Sequence, residues 1–121
     1  MDMELKQAFT ELQKKVVGTG QKLQLKDMQI SQMTRMKEEN LNSTREFSKL
    51  SDDTVVYESV GRAFILTDLN QMKTNLMTEN KQLDEKITTL QNDKVFLSRN
   101  LAQSEENLRE LVQQKKKQAD R

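Results

Sequence analysis

Over the first third of the chain, Leu5, Phe9, Leu12, Val16, Leu23, Ile30 and Met33 fall into one file of alternating four- and three-residue steps, broken only by Thr19 and Lys26. Such a file is the seam of a coiled-coil helix, and it predicts a helix from about residue 2 to 41. From Leu69 onward leucines return every seven residues, at Leu69, Leu76, Leu83, Leu90 and Leu97, with Ile87, Leu101, Leu108 and Leu111 in the alternate positions. Lys73, Asn80, Lys94 and Ser104 interrupt this second seam. It predicts a longer helix over about 68–117, capped at its start by Thr67 or Asp68.

Between the helices the pattern changes character. The stretch DTVVYESVGRAFIL, Asp53 to Leu66, crowds β-branched and aromatic residues around one glycine in a chain otherwise written in helix formers. It predicts a β-hairpin over 54–66. Alternation puts Val55 and Tyr57 on one face and Val56 and Val60 on the other, and it sets Ala63 and Ile65 against Phe64 and Leu66, so both faces are apolar. A two-stranded hairpin is marginal in water, and its open edges recruit further strands. Val55, Val56, Tyr57, Val60, Gly61, Phe64, Ile65 and Leu66 are therefore expected to be assembly residues. The connection over 42–53 carries Ser43 three residues before Glu46, a capping-box pattern that predicts a short separate helix near Thr44 to Leu50.

One hairpin between two helices predicts antiparallel pairing. The expected register couples Leu5 with Leu108, Leu12 with Leu101, Val16 with Leu97, Leu23 with Leu90 and Ile30 with Leu83. The alternative, one heptad away, sets Lys26 against Lys94, and like charges facing each other across a seam are unfavourable. In the expected register Met1 meets Val112 and both chain ends share a tip. There Met1, Met3, Leu5, Ala8 and Phe9, with Leu108, Leu111 and Val112 opposite, form an apolar end that no further helical layer covers. Gly18 and Gly20 interrupt the first helix at about 0.8–1 kcal/mol each against alanine.

Composition narrows the functional classes. The 121 residues are read as one domain over 1–121, yet 34% apolar and 4% aromatic residues with no Trp do not fill a large globular core. Lys plus Arg (20) and Asp plus Glu (19) nearly cancel, which gives no bulk attraction for nucleic acid or anionic membrane. There is no Cys and no His, no Gly-rich phosphate loop and no nucleophile elbow, so catalysis, metal binding and a cofactor are not expected. No run reaches membrane-spanning length, and residues 1–10 lack a signal-peptide core; the expected location is cytoplasmic.

The hairpin residues VVYESVGRAFIL, with the acidic turn before them and a heptad helix on either side, resemble the β-class subunits of prefoldin, whose V-Y-x-x-V-G core is matched by Val56, Tyr57, Val60 and Gly61. The resemblance covers essentially the whole chain. It implies a mainly α fold: a long antiparallel two-helix coiled coil with a central β-hairpin that joins a β-barrel in a hetero-hexamer of two α-class and four β-class subunits. It further implies an ATP-independent co-chaperone that captures unfolded chains such as actin and tubulin and delivers them to the cytosolic chaperonin. Client binding then falls to the tip residues, through many weak apolar contacts. A structural coiled-coil adaptor without chaperone activity is the alternative, but it leaves an apolar hairpin with two open edges unexplained.

Overall fold

The computed structural model describes residues 2–120. Helix α1 spans Met3–Ser48, strands β1 and β2 span Val56–Val60 and Ala63–Thr67, and helix α2 spans Leu69–Ala119. The described chain falls into two compact units, one formed by Ile30–Thr89 and the other by the remainder.

In the Ile30–Thr89 unit the two strands pair antiparallel, with Tyr57 opposite Leu66, Glu58 opposite Ile65 and Ser59 opposite Phe64. The turn consists of Gly61 and Arg62. Gly61 has φ +61°, and no other described residue has positive φ. Positive φ at the first central residue alone is the type II′ arrangement, whose twist suits a tight hairpin. Asp68 caps α2, its Oδ2 accepting from the Gln71 amide at 3.3 Å. Leu69, the next residue, is the most deeply buried side chain described, at 2% exposure.

The short helix expected near Thr44 to Leu50 does not exist as a separate element: α1 runs unbroken to Ser48. No proline or glycine lies in this stretch to stop it. The polar residues that suggested a break stay in the helix by bonding backward, the Thr44 hydroxyl to the Asn40 carbonyl and the Ser48 hydroxyl to the Thr44 carbonyl, both at 2.8 Å. A turn over 51–54 then leads into the hairpin, with the Thr54 amide donating to the Ser51 carbonyl.

The helix register also differs from expectation, and by one heptad. In the Ile30–Thr89 unit, Asn40 Nδ2 donates to Asn80 Oδ1 at 2.9 Å and Lys37 pairs with Asp84. In the other unit Lys15 bonds Ser104, Lys26 pairs with Asp93 at 3.5 Å, and Lys94 pairs with Asp27. These partners bring Leu12 beside Leu108 rather than Leu101, and they replace the expected coupling of Val16 with Leu97. The repulsion that argued against this register does not arise, because each lysine reaches the aspartate adjacent to its opposite number and carries its charge to the edge of the seam. The rejected register fails on another count: Asn80 would face Met33 and lose its amide partner across a half-dry interface.

Candidate functional site

Two groups of apolar side chains stand out, one in each unit, the first largely exposed and the second mostly half-buried. The first is the hairpin. Strand pairing places Val55, Tyr57, Phe64 and Leu66 on one face and Val56, Val60, Ala63 and Ile65 on the other. Tyr57 is 61% exposed and Phe64 72%, and Val55, Val60, Ile65 and Leu66 are all more than half exposed. Only Val56 among the expected assembly residues with side chains is partly covered. Apolar faces bare on both sides of a two-stranded sheet, with both edges unpaired, are a surface made to be covered by other strands.

The second group lies where the first turn of α1 meets the last part of α2. Asp2 Oδ1 accepts from the Glu4 amide at 2.8 Å and caps α1. The Lys115 ammonium lies 2.9 Å from Asp2 Oδ2 and 2.8 Å from Glu4 Oε2, which ties the first turn of α1 to α2. The bonds to Glu4 and then Asp2 push the Lys115 pKa up to about 12. Lys115 in turn, helped by the Glu4 amide, holds the Asp2 carboxyl below its ordinary value.

Next to this clasp, the expected client-binding residues divide between two grooves that share Leu12 and Leu108. One, of about 320 Å³, is lined by Ala8 and Leu111 with Glu11, Lys15, Ser104 and Asn107. The other, of about 470 Å³, is lined by Phe9 and Val112 with Glu105, Arg109 and Gln113. Ala8 and Phe9, like Leu111 and Val112, are neighbours rotated about 100° around their helix, so the two grooves flank one seam. Met3 is exposed, Leu5 is half-buried, and Met1 lies outside the described residues.

The expectation that Leu111 and Val112 belong to an uncovered apolar end is corrected here. Because of the one-heptad shift, α1 accompanies α2 as far as Lys115, and Leu111 and Val112 are half-buried. Sequence reasoning missed Leu12 as a groove residue, having placed it wholly in the seam, and it missed the Asp2, Glu4 and Lys115 clasp. The four-and-three spacing of Leu101, Ser104, Leu108, Leu111 and Lys115 carried the signal: it continues the seam into the run of lysines at the end of α2.

Among the described residues, no group of three or more His, Cys, Asp or Glu side chains is placed to hold a metal ion. No helix among the described residues is long and apolar enough to cross a membrane.

Residues 10–115 match the family described as Prefoldin subunit. The chain is 41% identical over 118 residues to prefoldin subunit 1 of Tetraodon nigroviridis and of Homo sapiens, covering 98% of this chain and 97% of each relative. It is 32% identical over 124 residues to probable prefoldin subunit 1 of Caenorhabditis elegans, covering 95% of this chain and 98% of that one. The crystal structure of the prefoldin beta subunit from Thermococcus strain KS-1 shares the fold with a TM-score of 0.74 at 20% identity, covering 91% of this chain and 93% of that one.

Proposed function

Since the chain belongs to the prefoldin subunit family, we propose that its hairpin docks it into the hexamer and that the two grooves at its terminal end capture unfolded client chains. Membership makes it a subunit of the prefoldin co-chaperone, which assembles with other prefoldin subunits. The observation that carries the finer reading is the apolar hairpin bare on both faces in one unit and the paired apolar grooves in the other. One surface serves assembly and the other serves capture.

The division of labour follows from shape. The hairpin offers strand edges and large flat side chains, which suit a permanent sheet-to-sheet contact. The grooves are shallow, and each offers only a few side chains. Burial at about 25 cal/mol per Å² makes any one such contact weak, so affinity arises from several subunits acting on one client. Weak and multiple contacts also allow release without nucleotide hydrolysis. Actin and tubulin are the clients proposed, the cytosolic chaperonin is the acceptor, the compartment is the cytoplasm, and no catalytic step is involved.

Reconstitution with the partner subunits tests both parts. Tyr57→Asp should abolish recovery of this chain in the hexamer while helical circular dichroism stays nearly unchanged. Phe9→Ser with Val112→Ser should assemble normally yet suppress aggregation of a denatured client less well, the loss being partial because the other subunits remain intact. Full hexamer yield from Tyr57→Asp would overturn the docking role, and unchanged suppression by the groove variant would move capture elsewhere.

A further inference from the structure

A third groove, of about 510 Å³, opens between the helices one to two turns inward from those at the terminal end, and its lining differs in kind. Lys14, Lys15 and Lys22 line it with Phe96 and Asn100, and its floor on α1 is Gly18. No carboxylate lines it. Lys14 and Lys22 are exposed and have no ion-pair partner among the described residues, whereas Lys26, Lys37, Lys94 and Lys115 each have one. Phe96 is 67% exposed in the middle of a helix, beside these cations.

Gly18 lies on the α1 side of the groove, where the space is open. A Cβ built there meets no atom within 4 Å, and its φ is not positive, so neither close packing nor backbone geometry requires glycine. A glycine inside a helix costs about 0.8–1 kcal/mol against alanine. At this position it leaves room beside Phe96 and the lysines that line the same groove.

We propose that this groove docks a peptide segment in which carboxylates alternate with apolar or aromatic side chains. The apolar residue seats over Gly18 against Phe96, the carboxylates reach Lys14 and Lys22, and Asn100 supplies an amide able to donate to or accept from the peptide backbone. Charge decides the class of occupant: three cations with no lining carboxylate repel basic segments, and an exposed aromatic ring gives a purely acidic one no extra hold. The occupant is thereby a class of client segment, which rests on the capture reading above and gives this subunit a preference that the two tip grooves, each lined by one acidic and one basic residue, lack.

The test uses the full-length chain and a fluorescein-labelled peptide of alternating Glu and Phe or Leu, with binding read by anisotropy. Two control peptides replace the glutamates by lysine or the apolar residues by serine. The alternating peptide should bind and both controls should bind at least about tenfold more weakly, a difference of roughly 1.4 kcal/mol. Binding should fall as salt shortens the Debye length towards about 3 Å at 1 M. Lys14→Glu with Lys22→Glu should abolish it. Gly18→Leu should also abolish it by filling the groove, whereas Gly18→Ala should leave it intact. Leucine and alanine both favour the helix over glycine, so that contrast separates occupancy of the groove from stability. Equal binding of the serine control would show plain charge attraction and overturn the proposal, as would undiminished binding to Gly18→Leu. Peptide binding is read apart from aggregation suppression, so failure of general client capture with peptide binding intact would refute the chaperone reading and leave the groove standing.

Discussion

Replacing Gly18 and Gly20 together by alanine should stabilise the protein, and the structure sets the size of the effect. Both residues lie inside α1, both have ordinary φ, and a Cβ at either position meets nothing within 4 Å. No steric term then opposes the gain in helix propensity, about 0.8–1 kcal/mol at each site and roughly 2 kcal/mol for the pair. With an unfolding entropy near 2.1 cal/mol/K per residue, a chain of 121 residues should melt roughly 6–8 °C higher. Thermal unfolding of the full-length chain at fixed concentration, followed by circular dichroism at 222 nm, reads this directly. Gly61→Ala provides the opposite sign. Space is also open there, but φ +61° is left-handed backbone, and a side chain should cost about 1–2 kcal/mol. A double variant that melts no higher than the parent would refute the reasoning, because α1 would then not be a continuous helix through residues 18–20.

The remaining predictions concern the register and the clasp. The chain has no cysteine, so a pair introduced at Leu12 and Leu108 should oxidise within one chain, whereas a pair at Val16 and Leu97 should not, a disulfide spanning Cα separations only up to about 7 Å; efficient closure of the second pair would restore the rejected register. Asp2 has a depressed folded-state pKa, so its contribution is present above the ordinary value of 3.8 and is lost as pH falls through the folded value; Lys115 is raised, so its contribution is present below 10.5 and is lost as pH rises through about 12. The first turn of α1 should therefore be held most firmly between those ordinary values. In Lys115→Gln the Asp2 carboxyl should titrate closer to 3.8, measured by NMR of its side-chain carbon; an unchanged titration would show that the clasp does not form in solution.

The hairpin was legible because its residues differ in kind from everything around them, and Gly61 marked the turn. Both helices were legible from heptad leucines. The register was not, because the apolar pattern repeats every seven residues and a one-heptad slip conserves nearly all of it. Polar residues decide such a choice, and they were weighed by charge alone: Lys26 and Lys94 counted as a clash, while Asp27 and Asp93 beside them went unweighed. Asn40 with Asn80 was the stronger clue, since an amide pair at a seam position selects one alignment. The end of α1 was misplaced for a related reason. Ser43, Thr44 and Ser48 can start a helix or continue one, and only the backbone they bond distinguishes the two. Of the tip residues, the apolar ones were found by composition, whereas Lys115 was hidden within a run of like residues.

The two ends of the hairpin are attached very differently. Between β1 and α1 lie the seven residues Lys49 to Val55, a longer connection that contains the turn over 51–54. Between β2 and α2 lies only Asp68, and its side chain is already committed to the first turn of the helix, with Leu69 sealed beneath it. Torque applied to the sheet thus passes into the opening turns of α2 almost without slack, while α1 follows as a passenger. Under the docking proposed for the hairpin, α2 is the spar that neighbouring subunits would aim. A glycine inserted after Asp68 would act as a universal joint, and a docked subunit would keep its berth while losing its bearing.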